Sequence, residues 1–177
     1  MTTIGPAVKR IVVGLDGSEH AGAALGYAIG LARPLKAEIV AVFAVPAAQS
    51  VTYGAFYGER MVLPDFSLDE LRQMKRDFRT EWCRPLVDSG LEYRMIAETG
   101  PPAAVIEALA EREQAYLVVV GRRGRGGLAE LLLGSVSHEL SHHCTRPVLL
   151  VSNPGSKSAE QPVTSGAPAT APRTTTG

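Results

Sequence analysis

The stretch VKRIVVGLDGS, residues 8–18, holds a short β-branched run that stops at Gly14 and is followed by a turn. Ser18 is suited to cap a helix, because its side chain can accept a hydrogen bond from the first helical turn. Behind it, apolar residues recur at i, i+3, i+4 and i+7, which predicts an amphipathic helix stopped by Pro34. This inner stripe consists of Leu25, Ala28, Ile29 and Ala32. The stretch therefore predicts a strand, a turn and a helix.

Four further apolar runs repeat the strand pattern, at residues 37–45, 91–97, 115–120 and 147–151. Helical patterns separate them. Alternating strands and helices predict an α/β protein with a doubly wound, five-stranded parallel sheet and helices on both faces. Ligands of such sheets bind at the carboxyl ends of the strands, where the strand order reverses. The residues after strands one, two and four are therefore the most informative.

Three helices follow the first one in this interpretation. The second begins at a capping box, Ser67–Glu70, and is expected to end near Pro85. The third begins at Pro102, and the last is a short helix before the fifth strand. The expected inner faces of the second and last helices are Leu71, Met74, Phe78 and Trp82, and Val136, Leu140 and Cys144.

Charge, apolar runs and cysteine content together exclude several classes of protein. The 177 residues include 18 Lys and Arg against 18 Asp and Glu, so the formal net charge is zero, whereas nucleic-acid binders are usually basic. No apolar run approaches the ~18 residues of a membrane span, and residues 1–10 do not resemble a signal peptide. Two cysteines are too few for a disulfide framework, and we interpret both as structural. We expect a cytoplasmic protein that binds neither nucleic acid nor a membrane.

Composition divides the chain into three parts. Residues 1–7 are an N-terminal extension, and residues 8–151 form one folded domain. Residues 152–177 are dominated by Pro, Gly, Ser, Thr and Ala, which cannot bury enough apolar surface to offset the entropy of ordering, so we expect a disordered tail. Residues 46–66 form a long loop that is either an ordinary connection or a lid over a binding site.

A glycine-rich loop follows the fourth strand, with the pattern Gly121-x2-Gly124-x9-Gly134-Ser135. Glycines allow backbone N–H groups to approach an anion, and Ser135 would stand where a helix N-terminus favours phosphate. The alternative is a connection that merely turns the chain. The loop contains no Gly-Lys-Ser or Gly-Lys-Thr sequence, so it is not a Walker A motif.

Three motifs in order, VGLDGSE near the start, this glycine pattern, and RPVLLV at the end, resemble the universal stress protein family over about residues 8–152. The glycine spacing resembles the subgroup that binds ATP. The resemblance implies strand order 3-2-1-4-5, a homodimer formed through the last strand, and a nucleotide-linked regulatory role in stress. It also implies ATP or another adenine nucleotide as ligand, with Mg²⁺ a possible companion of ATP.

The resemblance also implies roles for particular residues. Asp16 would contact the ribose or adenine side, Gly14 would lie where the backbone passes the base, and the backbone of Ala44 would pair with adenine. From the residues alone, Asp16 could instead cap the first helix. Arg122 and Arg125 are interpreted as solvated. The phosphate positions would be Gly121, Arg123, Gly124, Gly134, Ser135 and Val136.

His138-Glu139-Leu140-Ser141-His142 matches the H-E-x-x-H helix of zinc proteases. The helix is short, and no further histidine or glutamate in the folded downstream region completes a ligand set. The sequence therefore favours a surface histidine cluster, and we assign neither a catalytic residue nor a metal ligand. Two alternatives to ATP binding remain: a nucleotide-free protein that acts through its dimer surface, and a weak enzyme, either a slow ATPase or a metal-dependent hydrolase.

Overall fold

A computed structural model of the chain describes residues 9–46, 66–125 and 133–153. The strands are β1 (Arg10–Gly14), β2 (Glu38–Val45), β3 (Tyr93–Thr99), β4 (Leu117–Gly121) and β5 (Val148–Val151). The helices are α1 (Glu19–Leu35), α2 (Leu68–Asp77), a π-helix (Phe78–Trp82), α3 (Arg84–Val87), α4 (Pro102–Arg112) and α5 (Ser135–His143). The expected extension at residues 1–7, most of the 46–66 loop and the tail from residue 154 lie outside the described residues.

The five strands form one parallel sheet in the order β3-β2-β1-β4-β5, as predicted. The chain moves outward from β1 in one direction through β2 and β3, and then crosses to β4 and β5 on the other side. The reversal therefore lies between β1 and β4. Ligands of doubly wound sheets bind outside the carboxyl ends of the strands at such a reversal, and we call this space the crevice between β1 and β4.

Each face of the sheet buries its own apolar core, because the strands alternate apolar side chains between two covered faces. On β1, Ile11 and Val13 point into the core shared with α1, α2, the π-helix and α3. Val12 points into the opposite core, which α4 and α5 cover. The prediction of helices on both faces is therefore confirmed.

Several element boundaries differ from the prediction. Pro34 does not stop α1, which continues to Leu35 with the proline in its last turn. The turn is made instead by Lys36, whose left-handed backbone has φ 50° and whose N–H bonds the carbonyl of Arg33 at 3.2 Å. Pairing with β2 places β3 two residues later than the predicted 91–97.

The second predicted helix is divided into three pieces. Its capping box is confirmed: Ser67 Oγ accepts from the Glu70 N–H at 3.2 Å, and Glu70 Oε2 accepts from the Ser67 N–H at 2.8 Å. The π-helix then widens the backbone turn, which changes the angular position of the side chains that follow. As a result Trp82 packs edge-on against Phe43 of β2, with ring centroids 5.1 Å apart.

No helix within the described residues combines the length and the apolar character that crossing a membrane requires.

Candidate functional site

The crevice between β1 and β4 is bordered by two glycines whose missing side chains allow close packing. A Cβ on Gly14 would lie 2.8 Å from Ile106 Cδ1, and one on Gly121 would lie 2.7 Å from the backbone of His20. These glycines bring α4 and the first turn of α1 against the strand ends. Packing thus explains why glycine is needed at both positions, in addition to the binding roles that the family resemblance implies for them.

Asp16 connects the β1–α1 turn to the glycine-rich loop. Its Oδ1 accepts from the Ser18 N–H at 2.9 Å, and its Oδ2 accepts from the Arg125 N–H at 3.1 Å. The residue that caps α1 is Ser18, whose Oγ accepts from the Ala21 N–H at 3.2 Å. Asp16 therefore does not cap the helix itself and instead holds the two loops together across the crevice.

Gly124 lies against that carboxylate. A Cβ at this position would stand 2.6 Å from Asp16 Oδ2, which is closer than real Cβ contacts come. Gly124 itself is exposed to solvent. Glycine is therefore required here because the backbone passes directly beside Asp16, and this leaves an open backbone surface facing the crevice.

Gly134 and Ser135 meet the same loop at the start of α5. The Gly134 N–H donates to the carbonyl of Arg122 at 2.9 Å, and a Cβ on Gly134 would lie 3.5 Å from the Gly124 nitrogen. By helix geometry, the N–H groups of Ser135, Val136 and Ser137 have no acceptor within the helix. Three of the predicted phosphate positions, Gly124, Gly134 and Ser135, are therefore brought together around a helix N-terminus, which favours an anion.

Arg123 presents a polar atom that the described residues leave unsatisfied. Its Nε is buried, and no described group accepts a hydrogen bond from it. A buried N–H without an acceptor is costly, and an anion held at the loop would remove that cost. The role of Arg123 near phosphates stays a prediction.

Ala44 lies one residue before the end of β2, where it is half-buried. It packs against the core that α4 and α5 cover, and its strand neighbours β1. It is therefore placed at the carboxyl edge of the sheet with Asp16.

Ser137 is a residue that the sequence interpretation missed. Its side chain is buried, and its Oγ lies 2.8 Å from the Gly121 carbonyl oxygen and 3.0 Å from that of Arg122. These contacts fasten the first turn of α5 to the end of β4. In the sequence, the sign of this role is a serine that directly follows Val136 of the apolar stripe expected for the last helix. Because of this anchor, Ser137 and Leu140 form the buried side of α5, while Val136 and Cys144 of the predicted stripe are half-buried.

Arg125 is exposed but makes specific contacts, in contrast to the solvated side chain that was expected. Its guanidinium stacks over the Trp82 ring at 4.6 Å from the ring centroid. The two side chains crowd Gly17, where a Cβ would lie 2.5 Å from an Arg125 nitrogen and the backbone has φ 80°. Arg125 therefore ties the glycine-rich loop to the π-helix by its side chain and to Asp16 by its backbone.

The other candidate groups do not form a reactive site in the described part of the chain. Burial raises the pKa of the Cys83 thiol to about 12, so the thiol stays protonated, as a structural cysteine would. In residues 9–46, 66–125 and 133–153, no three histidine, cysteine or acidic side chains gather closely enough to hold a metal ion. The aromatic residues of the predicted lid, Tyr53, Phe56 and Tyr57, lie outside the described residues.

Comparison with known proteins agrees with this architecture. The model of the universal stress protein family matches residues 7–152. The chain is 34% identical to a universal stress protein of Synechocystis sp. over 149 residues, which is 80% of this chain and 96% of the relative. It is 33% identical to universal stress protein YxiE of Bacillus subtilis over 150 residues, or 81% and 98% of the two chains.

Solved structures share the fold. Universal stress protein UspA from Lactobacillus plantarum superposes with a TM-score of 0.63 at 21% identity, covering 83% of this chain and 99% of that one. Similar folds include a universal stress protein in complex with cAMP (TM-score 0.59, 23% identity, 83% and 98% covered). The universal stress protein of Archaeoglobus fulgidus in complex with dAMP has a TM-score of 0.59 at 17% identity, covering 82% of this chain and 99% of that one. A family protein of Arabidopsis thaliana with AMP bound has a TM-score of 0.55 at 17% identity, covering 86% and 97% of the two chains. From the family match and the shared fold, we conclude that this chain belongs to the universal stress protein family.

Proposed function

We propose that this chain binds an adenine nucleotide in the crevice between β1 and β4, with its phosphates on the glycine-rich loop and the N-terminus of α5. The observation that carries the proposal is the meeting of Gly124, Gly134 and Ser135 beside the Asp16 carboxylate. It places an exposed backbone segment, helix N–H groups without an acceptor inside the helix, and a carboxylate acceptor at one edge of the sheet.

The two ends of such a ligand have different partners in this arrangement. Each oxygen of Asp16 accepts one backbone N–H and keeps capacity for another donor, which a ribose hydroxyl could supply. The phosphates would receive hydrogen bonds from the Ser135 and Val136 N–H groups and from Arg123. Ala44 and Gly14 would line the base, and Gly121 would lie beside the phosphates at the end of β4.

The nucleotides bound by similar proteins support this ligand class. The three similar structures described above contain cAMP, dAMP and AMP, which share an adenine base, a sugar and one phosphate. We propose ATP as the ligand of this chain, accompanied by Mg²⁺, because the spacing Gly121-x2-Gly124-x9-Gly134-Ser135 resembles that of the subgroup that binds ATP. We propose a nucleotide-linked regulatory role in stress, with slow hydrolysis at most.

A homodimer formed through β5 is a further part of this proposal. β5 is the edge strand beyond β4, and Val148, Leu149 and Leu150 remain half-buried in the single chain. An edge strand leaves backbone groups unpaired, and a second copy could cover them together with these apolar side chains. This surface also favours the second candidate function, a nucleotide-free protein that acts through protein contacts.

Ser135→Pro offers a sharp test of the phosphate position. Ser135 is the first residue of α5, where proline is well tolerated, and Gly134 already has the extended backbone that precedes prolines (φ −71°, ψ 158°). The change removes one N–H from the proposed anion site without breaking a helical bond. A lost hydrogen bond to a charged group costs about 1.5–3 kcal/mol, so ATP affinity should fall about tenfold to a hundredfold by calorimetry.

Ser135→Ala is the matched control, because it removes the hydroxyl and keeps the N–H. Urea unfolding should show that both variants stay folded. Equal ATP affinity in wild type and Ser135→Pro would contradict the phosphate assignment. Mass spectrometry of ligand released from the purified protein, with calorimetry against ATP, AMP and cAMP, separates the two candidate functions. If no nucleotide is carried over and none binds at millimolar concentration, the proposed nucleotide binding is wrong.

A further inference from the structure

Two histidine rings on α5, one helical turn apart, lie next to each other. The ring centroids of His138 and His142 are 4.5 Å apart, with 49° between the ring planes. His142 is exposed and His138 is half-buried, so solvent reaches the pair. His143 stands farther away, with its ring centroid 6.4 Å from that of His142.

The separation of the rings corresponds to a particular coordination geometry. A metal–imidazole bond is about 2.0–2.1 Å long, which places the metal roughly 3.2 Å from each ring centre. Two imidazoles that meet at a right angle on one ion then have centres about 4.5 Å apart, whereas a tetrahedral angle separates them by about 5.2 Å. The observed 4.5 Å is therefore close to the spacing at which both imidazoles can reach one ion.

The geometry points to a divalent transition-metal site in which His138 and His142 are the two protein ligands and water completes the coordination. Cu²⁺ and Ni²⁺ suit it best, because both bind imidazole nitrogen well and Cu²⁺ stands highest in the affinity order of the divalent ions. Zn²⁺ suits it less, because structural zinc takes four protein ligands. Within the described residues, no third histidine, cysteine or acidic side chain joins the pair, so we propose a binding site with these two protein ligands. The H-E-x-x-H spacing places both histidines on one face of α5.

The metal site is independent of the nucleotide proposal. A bound ion would join two successive turns of α5, a helix of nine residues. Binding to the folded chain alone also stabilises it by mass action. Titration of nucleotide-free protein therefore tests this site whatever the outcome for ATP.

Calorimetry on the full chain, produced without a histidine tag, should show one Cu²⁺ or Ni²⁺ bound per chain and weaker binding of Zn²⁺. His138→Ala and His142→Ala should each weaken Ni²⁺ binding at least about tenfold, since each removes one of two linked ligands. His143→Ala and His20→Ala are the matched controls and should retain wild-type affinity. Far-UV circular dichroism should show unchanged helix content in all four variants.

Electron paramagnetic resonance of the Cu²⁺ complex gives an independent readout. The wild-type signal should show coupling to two imidazole nitrogens, and each of the His138→Ala and His142→Ala signals to one. The assignment fails if wild-type protein binds no stoichiometric ion, or if His138→Ala binds Ni²⁺ as tightly as wild type. Loss of affinity in His143→Ala alone would also overturn it.

Discussion

At the scale of single residues, Gly124 packs directly against the Asp16 carboxylate. The Asp16 carboxylate occupies the space that a side chain at residue 124 would need, since a Cβ there would stand 2.6 Å from Oδ2. Any larger residue must displace either Asp16 or the loop, and both belong to the proposed nucleotide site. A side chain at residue 124 is therefore expected to disturb both the path of the loop and the position of the Asp16 carboxylate.

We expect Gly124→Ala to weaken ATP binding at least about tenfold, because about 1.4 kcal/mol of displaced or lost contact corresponds to that factor. Calorimetry measures the effect. Gly26→Ala is the matched control: a Cβ there meets no described atom within 4 Å, so the affinity should not change. An unchanged affinity in Gly124→Ala would show that the loop does not contact the ligand.

At the scale of elements, the outer face of α1 carries three glycines at positions where no described contact requires glycine. A Cβ on Gly22, Gly26 or Gly30 would meet no described atom within 4 Å, and these three residues are exposed. Glycine inside a helix costs about 0.8–1 kcal/mol relative to alanine, because its backbone loses more entropy on folding. The other contacts of α1 must therefore offset this cost.

We expect the triple variant Gly22→Ala, Gly26→Ala and Gly30→Ala to raise the free energy of unfolding by about 2–3 kcal/mol. Urea unfolding at fixed protein concentration measures it. Gly17→Ala should do the opposite, because Gly17 has φ 80° and a Cβ would lie 2.6 Å from the Trp82 ring. A triple variant less stable than wild type would mean that this face of α1 is covered in solution.

At the scale of the whole molecule, the sheet separates an ion-pair cluster from the candidate site. Arg10, Glu38 and Arg94 lie at or near the starts of β1, β2 and β3, and Glu113 lies just before β4. Arg94 bonds both carboxylates, and Arg10 adds a 3.1 Å contact to Glu38. The cluster therefore joins four segments at the amino edge, while the proposed nucleotide site occupies the carboxyl edge.

This cluster predicts a loss of stability in acid. Burial alone would raise the pKa of Glu38, but its hydrogen bonds with Arg94 and Arg10 outweigh burial and hold the pKa below its ordinary value of 4.5. The hydrogen bond with Arg94 also lowers the pKa of Glu113. Because both are lowered by folding, their contribution is complete above pH 4.5 and is lost as the pH falls through the folded values.

Urea unfolding between pH 7 and pH 3 should therefore show a fall in the free energy of unfolding below about pH 4.5. The fall should be smaller in Arg94→Gln, which lacks the charge that lowers both pKa values. Arg84→Gln is the control, because the Arg84–Asp88 pair is exposed and 3.9 Å apart. Identical pH profiles for wild type and Arg94→Gln would show that the cluster does not couple protonation to folding.

The sequence by itself determined the order of elements and the fold class. Apolar runs covered on both faces, such as residues 115–120, predict buried parallel strands because hydrophobic periodicity is a local property. The capping box at Ser67 was predictable for the same reason, since its partners lie three residues apart. The glycine-rich loop was also visible in the sequence as a candidate anion site. The strand order and the roles of individual residues toward a nucleotide came from the family resemblance, and the nucleotide itself stays a prediction.

The tertiary structure decided what depends on contacts between distant segments. Pairing with β2 set the bounds of β3. Hydrogen bonds to the carbonyls at the end of β4 hold the Ser137 side chain on the buried side of α5. The Asp16–Gly124 contact, the stacking of Arg125 on Trp82 and the ion pairs at the amino edge all join residues remote in sequence. Such contacts leave no local pattern, because their energy depends on how the folded elements approach one another. The histidine spacing was visible in the sequence, but only the fold placed the two rings 4.5 Å apart.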